Sequence, residues 1–439
     1  MNIAAGELAK ADRGHVVAAL ARIKGTLPTN WLAARHPVSR GELPQDWRQV
    51  NGLPPARLIE AVAVSIPTHC VDGWSFAARA LSALLAGDAH GCRHMAYYAQ
   101  LRAGLCIMAN LGVGLFNCIN FAVDGTGAIV RIDPARRNNS RKGLGTHSAV
   151  WSALDTWSRD AAGSRLFLDL VKIRHVKLYD ALEAVWPGFI SVGTVGALIQ
   201  AWGVDLQRGL VDRNFRNTSS YAAHALNQLP MRTASNLRFI EAAWRLFEPS
   251  GGGGFDSLDR YLVRKILNGQ HEIMNPGAPL AGSKLDTRYA QLPGALRSMC
   301  SQDFILGNVE KVEPEIIRLA DVRASPASPL HMLARALLLL RTAMAFTHSS
   351  LTEAGIDTAA GDLRSWLESL ANSRGFCGAA TPLGDGSGLW DDISMAIEDL
   401  ERSRKPAPID LMAWKMNHAS NGMPFISEAE RIAVWSFCA

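Results

Sequence analysis

The chain has 439 residues, of which 48% are hydrophobic, 7% aromatic and 19% charged, with a formal net charge of +5. This length exceeds one small core and sets a prior of about two or three domains; the composition excludes a disordered chain, a coiled coil and a collagen-like fibre. The positive excess is mild: it permits contact with nucleic acid without establishing it.

Residues 1–19 mix Glu7, Lys10, Asp12 and Arg13 into an amphipathic pattern with no apolar h-region, so no secretory signal is expected. Segments 74–85 and 92–113 carry apolar residues at helical spacing, and Gly87-Asp88 between them predicts a helical hairpin. In 115–133, Phe121, Val123, Ile129, Val130 and Ile132 flank Asp124-Gly125-Thr126-Gly127, the pattern of a small β-hairpin. A basic loop follows at 131–145, where Arg131, Arg136, Arg137, Arg141 and Lys142 stand against Asp133 alone. Its surplus is nearly that of the whole chain.

Helical patterns resume at 146–159, 164–173, near 194–202, and at 236–247. The run 249–254, with four consecutive glycines, is the clearest boundary candidate; a surface loop within one domain is the alternative. Beyond it, 256–274, 329–349, 363–372 and 391–402 read as helices, while 276–293 and 375–388 read as loops. The apolar stretch 330–346 is interrupted by Arg335 and Arg341, which favours a buried helix over a membrane span. Seven scattered cysteines without a CxxC pair fit a reducing cytoplasm and neither a disulfide framework nor a zinc ribbon. The expected fold is all-α (mainly α): a helical bundle with one small β-hairpin, followed by a second helical region. The expected division is an N-terminal helical segment at 1–70, a helical domain at 71–248 and a C-terminal helical domain at 255–439.

The common nucleotide and protease signatures, GxxxxGK[ST], HExxH and GxSxG, are absent, and no cofactor is expected. His90 and His94 have a metal-like spacing with Asp88 nearby, but no third ligand follows, so no metal is expected either. Two clusters carry more chemistry. In 93–102, Arg93, Tyr97 and Gln100 share a helical face, and Tyr98 and Arg102 are four apart. Such residues can stack on bases and hold phosphate; the plainer reading is a core edge whose arginines reach water. In 212–224, Asp212 or Asn214 can cap a helix on which Arg216, Ser220 and His224 are stacked, with Asn217 and Tyr221 beside them. This set can bind or cleave a phosphodiester; the plainer reading is a buried polar network that docks the segment.

The segments Trp74-Ser75-Phe76-Ala77-Ala78-Arg79-Ala80, Arg93-His94-Met95-Ala96-Tyr97-Tyr98 with Leu101-Arg102-Ala103, Gly145-Thr146-His147-Ser148-Ala149-Val150-Trp151, and Arg216-Asn217 with Ser220-Tyr221 resemble a bacterial HEPN-like helical protein. The resemblance is to members found beside anti-phage defence genes and covers about residues 70–245. It implies a helix bundle, often dimeric, whose active members are metal-independent ribonucleases. Their signature is an Arg, a polar follower, and a His after four to six intervening residues in all. Here Arg216-Asn217 has the follower, but Tyr221 stands where the His is due, and His224 lies after seven intervening residues. A phenol of pKa ~10 is a weak base at neutral pH, so binding without cleavage is the other outcome. Arg141 with His147, Arg264 with His271, and Arg341 with His348 also fit the spacing. About three such pairs are expected by chance, so spacing alone does not choose among them.

The resemblance therefore implies Arg216 on phosphate, Asn217 orienting it, and Tyr221 or His224 handling the proton, with His147 joining from across the chain. Arg93, Tyr97, Arg102, Arg136, Arg137, Arg141 and Lys142 would hold and steer RNA or another nucleic acid. A homo-oligomer, a protein partner in a defence complex, a cytoplasmic location and no membrane complete the expectation. The alternative is a non-catalytic helical interaction subunit of such a complex, with the tryptophans as anchors.

Overall fold

The computed structural model describes residues 3–24, 31–133 except 33 and 35, 143–188, 196, 200, 208–221, 233–250, 252–321, 328–358, 361–377, 388–404 and 424–438. It is mainly α-helical, at 67%, with two small sheets of three and two strands. The expected hairpin of helices is its centre. The Pro55–Leu85 helix turns at Gly87, whose φ is +75°, into the Ala89–Asn110 helix. Asp88 caps that second helix by accepting from Gly91 N at 2.7 Å.

The first of these helices begins well before residue 74 and runs through Pro67. A proline inside a helix removes a donor and crowds the preceding turn. Nearby carbonyls recruit side chains: Trp31 Nε1 and Thr68 Oγ1 both donate to Val64 O at 2.9 Å, and Cys106 Sγ donates to Ile66 O at 3.3 Å.

The Pro329–Glu353 helix lies against both members of the hairpin. It is long and apolar enough to cross a membrane, yet 89% of its most apolar window is buried inside the protein. At the crossing, a Cβ on Gly73 would stand 2.5 Å from Leu340 Cδ2, so glycine permits the close approach. The two arginines that interrupt the apolar pattern make buried bidentate ion pairs. Arg335 donates to Asp212 at 2.9 and 2.7 Å, and Arg341 donates to Asp259 at 2.7 Å through both nitrogens.

The Arg–His spacings of the C-terminal half have structural roles here. Arg341 is committed to Asp259, whereas the His348 ring bonds Ser436 O at 2.9 Å and stacks on Phe437. Arg264 donates to Glu310 O at 2.8 Å, and His271 bonds Ala278 O at 3.1 Å.

Burial lowers the His348 pKa from 6.5 to about 4, with the Ser436 carbonyl pulling it upward and Arg341 adding to the depression. The unfolded chain therefore takes up this proton first as pH falls. The stability His348 confers is complete above pH 6.5 and is lost as pH falls towards about 4. The expected loss is about 2–3 kcal/mol. Denaturant titrations across that window should show a shallower pH slope in His348→Gln; an unchanged slope would assign it to other groups.

The three-stranded sheet is an antiparallel meander of Val113–Phe116, Ile119–Val123 and Ile129–Arg131. Val113 pairs with Ala122, and Phe121 with Arg131. The expected hairpin is its second turn. Its first strand takes Val113 from the segment read as helix, because the helix stops at Asn110 and Gly112 turns at φ +85° against Asp12 O. A second short sheet, Lys172–Ile173 with Val176–Lys177, takes the end of the helix expected at 164–173, which runs three residues earlier as Ala161–Leu170. The helices Thr146–Ser158, Thr233–Leu246, Asp256–Met274, Arg364–Arg374 and Gly388–Arg404 fall where the periodicity places them. Most of 194–202 and of 375–388 lies outside the described residues.

Around the glycine run, Phe247 and Phe255 both pack on Trp74, at ring separations of 5.6 and 6.4 Å. The buried apolar side chains, from Ile3 to Phe437, form one contiguous core.

Candidate functional site

Three helices build the site. Arg208–Tyr221 lies along Ala89–Asn110, and Thr146–Ser158 packs against both. The first is seated by Gly209, where a Cβ would press into the Trp151 ring, and by the buried Asp212–Arg335 pair. Asp212 also accepts from Gln100 Nε2 at 3.1 Å. Gly209→Ala is accordingly expected to push this helix off Trp151 and destabilise the protein by about 1–3 kcal/mol. Thermal denaturation checks this, and an unshifted midpoint would count against the close seat.

With the helix so held, residues at helical spacing face each other across the groove. His94 Nδ1 lies 2.8 Å from Ser220 Oγ, and His90 Nδ1 lies 3.2 Å from Ser219 Oγ. Arg93 also donates to Ser219 Oγ at 3.3 Å. From the third helix, His147 Nδ1 lies 3.0 Å from the Tyr97 hydroxyl, which accepts from Trp151 Nε1 at 3.3 Å. Arg213 donates to Ser148 Oγ at 2.9 Å.

Arg216 lies at the centre. Its guanidinium carbon is 5.3 Å from the Tyr97 ring centroid and 5.4 Å from that of Tyr98. The residue is only 8% exposed. Among the described residues its guanidinium makes no ion pair or hydrogen bond, and its Nε is buried without a partner. The one carboxylate of its own helix, Asp212, is already held by Arg335.

This cation shapes its surroundings. Burial, reinforced by Arg216, lowers the His94 pKa; burial, reinforced by Arg216 and Arg213, lowers that of His147. Both imidazoles are therefore neutral at pH 7. Burial pushes the Tyr97 phenol up to about 12 against the pull of Trp151, Arg216 and Arg213, so it keeps its proton. The arrangement can hold an anion and exchange a proton beside it.

The sequence-derived candidates divide clearly. Arg216 and His147 meet around Tyr97. Arg93 and Tyr97 are buried and support the site from beneath instead of offering an open stacking face. Asn217 is half-buried on the same helix, while Tyr221 is 82% exposed, and among the described residues none of the contacts that join the cluster involves it. Arg102 faces elsewhere: it donates to His69 Nδ1 at 3.0 Å and pairs with Asp72 at 3.5 Å. His224, Arg136, Arg137, Arg141 and Lys142 lie outside the described residues. The ends of their basic loop are pinned together, because Asp133 accepts from Leu144 N at 2.5 Å and from Asn120 Nδ2 at 2.7 Å.

Sequence reasoning places Tyr98 and Ser220 in two separate clusters, and misses Arg213 and, above all, His94 as members of the one site that joins them. In the sequence His94 reads as half of a metal pair with His90 and as part of the 93–98 segment of the resemblance, without a role of its own. In the structure both imidazoles bond serines of the facing helix, and among the described residues no group of three or more potential metal ligands occurs. The usable signal was the repeat of polar residues at 90, 93, 94 and 97 facing 216, 219 and 220. No family model, curated protein or solved structure matches the chain.

Proposed function

We propose that the protein binds nucleic acid, seats a phosphodiester at Arg216, and cleaves RNA without a metal. The observation that carries this reading is the buried Arg216 cation, flanked by two neutral histidines and, among the described residues, paired with no carboxylate. An unpaired buried charge is costly, and an anionic ligand supplies the missing partner through charge-assisted hydrogen bonds. Neutral imidazoles beside it supply proton transfer near neutral pH. The basic segment at 131–145 leads directly into the helix that carries His147, so its cations are close to the site along the sequence, and such cations steer a polyanion.

The test is fluorescence anisotropy and gel analysis of labelled single-stranded RNA with the full chain in EDTA. Binding that weakens steeply with salt, accompanied by cleavage, is expected. Tyr221→Phe should leave both unchanged, because that ring is exposed and outside the cluster. No binding at low salt would overturn the reading.

The second reading, a helical interaction subunit, rests on a different feature. A groove of about 390 Å³ is walled by Trp244, Trp390, Ile393 and Ile397, with Glu248, Glu398 and Glu401 on its rim. It gains if RNA fails to bind. A homo-oligomer and a place in a bacterial defence complex belong to the HEPN-like resemblance and are tested with it.

A further inference from the structure

We infer that the Arg216 site holds its two histidines in opposite tautomers, so that it recognises a phosphodiester bearing a neighbouring hydroxyl: RNA in preference to DNA. The inference rests on the reading that this site seats a phosphodiester.

The tautomers follow from counting protons. The Ser220 hydroxyl has one proton and two close neighbours, Arg216 O at 3.0 Å and His94 Nδ1 at 2.8 Å. A carbonyl can only accept. Both contacts are satisfied when Ser220 donates to Arg216 O and His94 Nδ1–H donates to Ser220 Oγ. His94 Nε2 is then left with its lone pair.

At His147 the count runs the other way. The indole N–H of Trp151 can only donate, so the Tyr97 oxygen accepts from it. The phenol proton is buried, and its acceptor among the described residues is His147 Nδ1. His147 therefore carries its proton on Nε2. Neither Nε2 has a partner among the described residues. Around the unpaired Arg216 the site thus offers a further donor, His147 Nε2–H, and one acceptor, His94 Nε2.

A fully ionised phosphate has only acceptors to present and leaves His94 Nε2 unmatched. A ribose phosphodiester presents oxygens to Arg216 and His147 and its 2′-hydroxyl to His94; deoxyribose lacks that donor. Sites built to hydrogen-bond a hydroxyl discriminate strongly against the analogue without it. In the reaction, His94 Nε2 takes the 2′-hydroxyl proton and the 2′-oxygen bonds to phosphorus. The bond from phosphorus to the 5′-oxygen breaks on the opposite side of the phosphorus, that departing oxygen takes a proton from solvent water, and His94 returns its proton to solvent. A cyclic 2′,3′-phosphate and a 5′-hydroxyl result, with His94 regenerated. Throughout, Arg216 and His147 hold the phosphate oxygens.

Long-range proton–nitrogen NMR of the ¹⁵N-histidine-labelled full chain near neutral pH reads the tautomers without substrate. His94 should be protonated on Nδ1 and His147 on Nε2. Ser220→Ala should let His94 exchange between tautomers and lower kcat by roughly tenfold with KM kept. Tyr97→Phe should release His147 and raise KM instead. In binding assays, single-stranded RNA should exceed DNA of the same sequence by about tenfold or more, and His94→Ala should level the two. The same tautomer at both rings, or equal affinity for RNA and DNA, overturns this inference alone. Failure of any nucleic acid to bind overturns the proposed function together with it.

Discussion

Arg216→Met is expected to abolish RNA binding and, at the same time, to stabilise the protein. The two effects have one origin. The guanidinium is buried between the faces of Tyr97 and Tyr98, and among the described residues its Nε has no partner and no carboxylate pairs with it. Ring faces return about 0.5–2 kcal/mol to a cation. The desolvation of the charge is larger, several kcal/mol, and only an ionic partner offsets it. A methionine of similar reach fills the same slot without that penalty, so a gain of about 1–2 kcal/mol is expected. Binding should fall by about a hundredfold or more, because the charge-assisted bonds to phosphate are gone. The substitution also lifts the depression that Arg216 imposes on His94 and His147, so both should titrate at higher pH in the variant. Denaturant unfolding, anisotropy and histidine NMR measure the three consequences. A variant that is less stable and still binds RNA would show that Arg216 serves packing.

How much of this was readable from the residues differs from element to element. The helices at 256–274 and 391–402 were legible because their apolar stripe is periodic; the first matches Asp256–Met274 end for end, and the second runs a little longer, Gly388–Arg404. The Pro55–Leu85 helix was legible only from 74 onward, since Pro67 reads as a breaker and the donors that rescue its neighbourhood, Trp31 and Cys106, are remote in sequence. The first strand was hidden by a Asn117-Cys118 turn, both residues at positive φ, where glycine would have signalled it. For the site, Arg216 and His147 were visible as residue types. Their meeting point was not, because Tyr97 joins them from a third segment. Chain distance also misleads about histidine: a window after Arg216 favours Tyr221 and His224, whereas the helix that brings His94 to Ser220 lies more than a hundred residues earlier. Tyr221 follows Arg216 by five positions, which on a helix turns it well off the face that Arg216 and Ser220 share.

The largest effect on stability is expected at Asp212, one turn before Arg216. Its carboxylate is the bidentate partner of Arg335 and accepts from Gln100, and all three side chains are buried. Burial raises the Asp212 pKa and Arg335 pulls it back; the pair therefore tolerates the interior only as a pair. Asp212→Leu removes the negative half and strands the Arg335 guanidinium among apolar neighbours, an uncompensated charge whose penalty is about 3–5 kcal/mol. The same change loosens the Arg208–Tyr221 helix from the Pro329–Glu353 helix, so RNA binding should fall too, although Asp212 touches no proposed ligand. Asp212→Leu combined with Arg335→Met separates the causes. It deletes both charges and keeps apolar volume, and buried pairs replaced in this way lose little stability. The double variant should recover most of the loss and regain binding, since Gly209 against Trp151 still seats the helix. Unfolding curves for the two single variants and the double variant give the coupling energy directly. Additive losses would show that the ion pair contributes through its separate contacts and not as a pair, and unrecovered binding would make its exact geometry a requirement for holding Arg216 in place.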